Sequence, residues 1–239
     1  MTTQLFMDDT YLTTAPARVT RITEQGGVVL DQSLFYATSG GQPGDRGRLS
    51  WAGGTMVVAT TVKGQGGEIV LIPAADETPP PEGAEVEQDL DWGVRLRHMR
   101  MHTALHLLTV VIPLPVTGGQ IGADKSRLDF VMPTAPEDKG ALEVVLNDLI
   151  AQDLPVSAEW ITEDELDANP GLVKTMSVQP PRGAGRILLV RIGDGPAQVD
   201  LQPCGGTHVA RTAEIGRVAI GKVENKGKQN RRVNISLVD

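Results

Sequence analysis

The chain has 239 residues, a formal net charge of −8, 40% hydrophobic residues and only 3% aromatic ones. This supports an aliphatic core in one large or two modest domains and excludes a disordered chain. No apolar run approaches the roughly eighteen residues of a membrane span. The N-terminus lacks the basic-then-apolar order of a signal peptide, and the single cysteine cannot form an internal disulfide. A cytoplasmic protein is therefore expected. No feature demands a dimer, so a monomer is expected too.

The first ninety residues read as β structure. Short apolar or β-branched runs at Val19–Ile22, Gly27–Leu30, Ser33–Tyr36, Thr55–Val62 and Glu68–Ile72 alternate with glycine turns, which predicts a small barrel. Within this region Thr38-Ser-Gly-Gly-Gln-Pro-Gly-Asp-Arg-Gly47 is glycine-rich but lacks the lysine and spacing of a phosphate-binding P-loop, so it reads as a loop. The turn-rich stretch Asp76–Gly83 precedes one last strand. A domain boundary is placed near residue 90, giving domains 1–90 and 91–239.

The longest helix is expected to start at Asp91, a good N-cap, and to stop before Pro113. His98, His102 and His106 recur every four residues in it. Successive members of that set drift by only about 40° around the axis, so they share a face, with Leu96, Leu105 and Leu108 available for packing. A second helix is expected from Pro136 to Gln152, with an apolar stripe of Leu142, Val145, Leu146, Leu149 and Ile150. Thr162-Glu-Asp-Glu165 is a capping-box pattern opening a short helix. The rest reads as strands at Val156–Ile161, Arg186–Ile192, Gln198–Gln202, Gly216–Val223 and Arg231–Val238. The last two flank a hairpin loop, Glu224–Asn230.

Two short motifs carry the chemistry. His102-Thr-Ala-Leu-His106 puts two imidazoles one helical turn apart, within reach of one ion. Thr103 stands where a zinc protease would need a glutamate base, which removes the peptidase reading. Cys204-Gly-Gly-Thr-His208 adds a thiol and a third imidazole, with two glycines letting the backbone turn tightly between them. The chain has four histidines and one cysteine, and four of these five residues lie in the two motifs. One thiolate and three imidazoles suit tetrahedral zinc. Four protein ligands are normally a closed structural site, and catalysis needs a displaceable or additional ligand. The net negative charge hides basic clusters at Arg95, Arg97, His98 and Arg100, and along Arg211, Arg217, Lys222, Lys226, Lys228, Arg231 and Arg232. An acidic protein with such patches is suited to an RNA end rather than to coating RNA.

Phe35-Tyr36, Ser39-Gly-Gly-Gln-Pro-Gly-Asp45, Arg100-Met-His102-Thr-Ala-Leu-His106-Leu-Leu108 and Gln202-Pro-Cys204-Gly-Gly-Thr-His208-Val209, in that order, resemble the editing region of alanyl-tRNA synthetase. The resemblance is closest to freestanding alanyl-tRNA editing proteins of the AlaX type. It extends over nearly the whole chain, through Gly216, Lys226-Gly-Lys228 and Arg231-Arg232. Threonyl-tRNA synthetase editing domains share the metal-type motifs but not the glycine-rich one.

The resemblance implies an α+β fold, with a small N-terminal β-barrel followed by an α/β two-layer editing domain of the type common to threonyl- and alanyl-tRNA synthetases. It implies hydrolysis in trans of mischarged tRNA(Ala), chiefly Ser-tRNA(Ala) and also Gly-tRNA(Ala), with Zn2+ on His102, His106, Cys204 and His208. It places Gly40, Gly41 and Gln42 at the substrate, with Asp124 and Lys125 as further substrate-binding candidates. The basic residues Arg100, Lys226, Lys228, Arg231 and Arg232 are the RNA-binding candidates. No aminoacylation domain is recognised, so ligase activity is not expected. Serine differs from alanine by one hydroxyl, which sterics alone reject poorly. A second site that demands a hydrogen bond to that hydroxyl can discriminate, because alanine leaves a buried polar group unpaired at about 1–3 kcal/mol. Thr103 and Gln42 are the expected readers of the hydroxyl and the catalytic candidates. The rival readings are a noncatalytic RNA-binding module with a structural zinc, and a zinc hydrolase of another ester.

Overall fold

A computed structural model describes residues 1–175 and 185–238. In chain order its elements are β1 (Thr3–Gln4), β2 (Thr14–Ile22), β3 (Val28–Leu30), β4 (Gln32–Ser33), β5 (Gly47–Trp51), β6 (Gly54–Lys63), β7 (Ile69–Pro73), β8 (Glu85–Leu90), α1 (Trp92–Val111), β9 (Val116–Gln120), β10 (Lys125–Val131), α2 (Lys139–Ala151), β11 (Val156–Thr162), α3 (Glu163–Ala168), β12 (Arg186–Ile192), β13 (Asp200–Pro203), β14 (Arg217–Asn225) and β15 (Asn230–Val238). No helix among the described residues is long and apolar enough to cross a membrane. The chain divides into two compact units, Met1–Leu96 and Arg97–Asp239. The division falls inside α1, slightly later than the boundary placed near residue 90.

The first unit is a closed barrel in the order β2-β3-β7-β6-β5-β8, with all pairings antiparallel. Strand alternation fills it. Ala15, Ala17 and Val19 of β2, Leu49 of β5, Met56 and Val58 of β6, Ile69 and Leu71 of β7 and Val86 of β8 all join one buried cluster. β5 was not anticipated, because Leu49 is the only fully buried apolar side chain it contributes. The expected strand Ser33–Tyr36 is not one. Only Gln32–Ser33 pairs, in parallel with β1. The next residues are buried with their backbone donors taken by side chains. Leu34 N donates to Gln88 Oε1 at 3.1 Å, Phe35 N to Ser33 Oγ at 3.1 Å and Tyr36 N to Asp45 Oδ2 at 2.6 Å. A buried backbone donor must find a partner, and here polar side chains replace a sheet ladder.

The glycine-rich segment makes a tight reversal. Ser39 N donates to Gln42 O at 3.1 Å and Gln42 N to Ser39 O at 2.8 Å. Gly40 and Gly41 between them have φ of +55° and +84°. Two successive left-handed residues are the signature of a type I′ turn, which glycine adopts without strain. Beyond the turn, Asp45 forms a fully buried ion pair with Arg95 of α1, the side chains being 1% and 0% exposed. Arg95 Nε donates to both carboxylate oxygens, at 3.1 and 2.9 Å, while Nη1 and Nη2 donate to the carbonyls of Thr10 (3.0 Å) and Leu34 (2.7 Å). Thus an arginine that the sequence placed in a basic RNA-facing cluster is a core residue. Asp91 caps α1 as expected, its Oδ1 accepting from Val94 N at 3.3 Å.

The second unit contains a four-stranded antiparallel sheet, β14-β15-β10-β9, and a three-stranded antiparallel sheet, β11-β12-β13. Helix α2 is capped by Asp138, whose side chain accepts from Ala141 N. Its packing face is rotated from the expected stripe. Leu146 and Ile150 are buried, but Val145 is 48% exposed. Polar residues occupy part of that face instead. Asn147 exchanges two bonds with Val218 of β14, at 2.8 and 3.0 Å, and Glu143 Oε2 accepts from Ile220 N at 2.7 Å. The capping box of α3 is present as expected, Thr162 and Glu165 capping each other.

Asp45→Leu leaves the Arg95 charge buried without its partner and is expected to cost about 3–5 kcal/mol in urea unfolding of the full chain. Adding Arg95→Met is expected to recover most of that loss. A cost below about 1 kcal/mol for the single variant would show that the pair is not held as described.

Candidate metal centre

From Met101 to Thr109 every residue of α1 is buried. An all-round buried helix carries its polar side chains inside the protein, where each needs a partner. His102 and His106 lie one turn apart with ring centroids 5.3 Å from each other. The second pair arrives from β13. Cys204 N donates to Leu188 O at 3.0 Å, which carries the pairing with β12 one residue beyond the strand. The His208 ring sits 4.2 Å from that of His102 and 4.6 Å from that of His106, between centroids. Cys204 Sγ is 3.4 Å from His102 Nε2 and 3.3 Å from His208 Nε2. One donor atom from each of the four residues falls within 4.8 Å of all the others. Metal bonds of about 2.0–2.3 Å in a tetrahedron separate donors by about 3.3–3.8 Å. The two sulfur–nitrogen separations fit that figure, and the donor set fits a borderline-soft divalent ion. Neither Gly205 nor Gly206 adopts a positive φ. Instead the Gly206 amide donates to Cys204 Sγ at 3.4 Å.

The far nitrogens of two rings are fixed from behind. His106 Nδ1 is 3.0 Å from Asp200 Oδ2, and a carboxylate can only accept, so the neutral ring carries its proton on Nδ1 and leaves Nε2 bare. Gln202 Nε2 donates to the same oxygen at 2.8 Å and reaches Thr109 Oγ1 at 3.4 Å, while Lys174 Nζ donates to Asp200 Oδ1. His208 Nδ1 lies 3.1 Å from Thr103 Oγ1. That hydroxyl gives its one proton to Met99 O at 2.9 Å and accepts from Val209 N at 3.3 Å. Its remaining lone pair takes the Nδ1 proton of His208, again leaving Nε2 bare. The Thr103 hydroxyl is therefore engaged within the protein, beside His208.

The electrostatics favour positive charge at the centre. Burial alone would raise the Cys204 thiol, but His102 and His208 overcome this and hold it well below its ordinary value. Burial alone would lower His106, yet Asp200 and Cys204 raise it to about 9. The carboxylate and thiolate that favour a proton there favour a cation in the same place. Burial, followed by the charge of His102, lowers His208 to about 3, keeping that imidazole neutral as a ligand must be. Asp200 is held well below the carboxylate range because bonding to His106 and the Lys174 charge outweigh its burial.

Gln42 is fully buried in the first unit. Asp124 pairs with Arg97 at 2.9 Å, and Lys125 is exposed at the start of β10. Arg100 Nε donates to Ile215 O at 2.8 Å, beside Gly216, where any Cβ would meet Arg100 Nη2 at 2.8 Å. Arg231 clamps the β14–β15 hairpin, donating to Asn225 Oδ1 and to the carbonyls of Gly227 and Pro133. Arg232 forms a two-pronged pair with Asp129, at 2.7 and 2.9 Å. Arg100, Arg231 and Arg232 are thus engaged within the fold. Lys226 and Lys228 are exposed on the hairpin loop, with Lys226 3.8 Å from Glu224. His98, which the sequence placed in a basic cluster with Arg95, Arg97 and Arg100, is buried. Sequence reasoning missed Asp200 and Lys174. Counting back by two from Cys204 along a strand gives Gln202 and Asp200 on one side, a signal that was available. No local spacing points to Lys174.

Two family models match the chain. The one described as tRNA synthetases class II (A) covers residues 7–94, and the Threonyl and Alanyl tRNA synthetase second additional domain covers residues 187–234. The alanyl-tRNA editing protein AlaX-M of Methanosarcina barkeri is 37% identical over 247 residues, covering 100% of both chains. The chain belongs to the alanyl-tRNA editing protein family. A second member, AlaX-M of Methanosarcina acetivorans, is 35% identical over 249 residues, again covering 100% of both. The alanine–tRNA ligase of Pyrobaculum neutrophilum is 40% identical over 233 residues, but the match is 93% of this chain and 25% of the ligase. Kinship to the editing proteins is therefore end to end, whereas kinship to the ligase is confined to about a quarter of that enzyme.

Titration with Zn2+ against a chromogenic chelator is expected to show a single tight ion that Cys204→Ala abolishes. Thr103→Val removes the support of His208 and is expected to weaken binding on the order of 10-fold. Equal affinity in Thr103→Val and the unmodified protein would remove Thr103 from the metal centre.

Proposed function

We propose that the protein is a zinc-dependent aminoacyl-tRNA deacylase that hydrolyses mischarged tRNA(Ala) in trans, chiefly Ser-tRNA(Ala) and also Gly-tRNA(Ala). The observation that carries this reading is a buried three-histidine, one-cysteine cluster in a chain that matches alanyl-tRNA editing proteins over its whole length. His102, His106, Cys204 and His208 would hold the zinc. When bound, zinc supplies either an anchor for the amino group or ribose end of the substrate or an acidified water. The bond to be broken is the ester between the amino acid and the terminal ribose, far more labile than an amide. The chain's own contribution is orientation. Asp200 and Thr103 aim two imidazoles, and the burial of the cluster strengthens its electrostatics by excluding bulk water.

The reader of the serine hydroxyl is assigned to Gln42, next to Gly40 and Gly41, as the resemblance of the glycine-rich motif implies. A site group that bonds the serine hydroxyl discriminates against alanine, which offers no such bond, by about 1–3 kcal/mol. Asp124 and Lys125 remain candidates for substrate orientation. Contact with the RNA backbone is assigned to Lys226 and Lys228, the exposed members of the basic set. The protein is proposed to work as a cytoplasmic monomer and not as a ligase.

Release of amino acid from preformed Ser-tRNA(Ala) and Ala-tRNA(Ala) tests the reading. Rapid serine release with alanine spared is expected, lost together with zinc in Cys204→Ala. A zinc-loaded protein that binds tRNA but releases neither amino acid would leave the structural-zinc RNA module in its place. Cleavage of small esters without competition by tRNA would leave the other hydrolase. Replacing Lys226 and Lys228 by alanine is expected to lower tRNA affinity and reduce its salt slope by about one per lysine.

A further inference from the structure

Asp200 is not a member of the metal cluster, yet its side chain is fully enclosed. A buried carboxylate is unfavourable unless its oxygens are bonded, and a single ion pair with Lys174 would have answered most of that need. Instead the two oxygens are divided. Oδ1 takes Lys174 Nζ, and Oδ2 takes the ring proton of His106 and the amide of Gln202. Lys174 is itself anchored through its backbone, since its carbonyl accepts from Val116 N at 3.1 Å and Thr175 bridges to Val116 of β9. Asp200 lies opposite Ile192 in the β12–β13 ladder. The carboxylate is therefore clamped between the edge of one sheet, through Lys174, and a strand of the other.

We propose that Asp200 is the positioning residue of the metal centre and that Lys174 is its clamp: Asp200 fixes His106 in the tautomer that presents Nε2, and Lys174 stops the carboxylate from rotating away. This rests on the zinc reading of the cluster given above. A purely structural ion pair would leave His106 free to exchange tautomers and would leave zinc affinity unchanged when altered. A positioning residue must move both.

The test uses the full-length zinc-loaded protein with Asp200→Asn, Asp200→Leu and Lys174→Met. Zinc affinity is read by competition with a chromogenic chelator, and the His106 tautomer by long-range proton–nitrogen NMR of 15N-histidine-labelled protein. Asparagine can still accept the Nδ1 proton but lacks the charge, so Asp200→Asn is expected to keep the tautomer and bind zinc about 10-fold more weakly. Asp200→Leu is expected to lose about 100-fold and to show both tautomers without metal, with Lys174→Met falling between the unmodified protein and Asp200→Leu. Unchanged affinity in Asp200→Asn overturns the proposal on its own, which covers the case in which Asp200→Leu fails to fold. If the unmodified protein binds no zinc, the zinc reading itself falls. If it binds zinc and the variants match it, only the positioning role falls.

Discussion

An imidazole has two nitrogens and, when neutral, one proton. A histidine can give a bare nitrogen to a cation only if the other nitrogen has somewhere to put that proton. The candidate metal centre is organised around this constraint. Asp200 takes the proton of His106, and Thr103 takes that of His208. Each acceptor is then held by further bonds, Asp200 by Gln202 and Lys174, and Thr103 by Met99 and Val209. Burial is what makes such support necessary. In water a misdirected ring would simply rotate, whereas in a closed site an unsupported Nδ1–H is a lost hydrogen bond as well as a lost ligand.

The same logic explains why a helix with little amphipathic character can carry the site. α1 is enclosed on all sides over its second half, so its sequence mixes leucines and methionines with histidines and threonines. Thr103 and Thr109 illustrate the arrangement. Each bonds a carbonyl of its own helix, Thr103 to Met99 and Thr109 to His106, and each also meets a side chain from the Asp200–His208 stretch. Threonine in a helix normally competes with the backbone. Here the back-bond orients a hydroxyl toward a second partner, and the weak helix former becomes part of the scaffold.

Legibility in the sequence followed the range of the interaction that fixes each residue. The four residues of the candidate cluster were visible because i, i+4 spacing on a helix and a short turn after a strand are local geometry. The N-cap at Asp91 and the capping box at Thr162 were visible for the same reason. The barrel was legible from its apolar runs except where one polar or single-residue contribution broke the pattern, as at Leu49 of β5 and in the Leu34–Tyr36 segment, whose amides are answered by Gln88, Ser33 and Asp45. The stripe of α2 was misread because Glu143 and Asn147 belong to its packing face, which no hydrophobicity pattern encodes. Lys174 was out of reach because it lies outside any strand and its partner Asp200 is 26 residues away in β13. The kinship of the glycine-rich segment was recognised from its residues, but its physical work, a left-handed turn leading to a buried aspartate, was not.

Charge tells a similar story at the surface. A count of basic residues near the C-terminus suggests a strip for nucleic acid, but the fold uses several of them itself: Arg232 on Asp129, Arg231 across the hairpin and Arg211 on Asp153. What remains exposed along the β14–β15 hairpin is Arg217, Lys222, Lys226 and Lys228, on a chain whose net charge is −8. Each phosphate contact adds to both affinity and salt dependence, so a few exposed cations give a modest, local attraction rather than a coat. For the proposed deacylase of a tRNA end, that distribution is the more useful one. In that proposal local cations bring the end in, the negative remainder of the surface discourages binding elsewhere, and weak total attraction keeps product release from becoming the slow step.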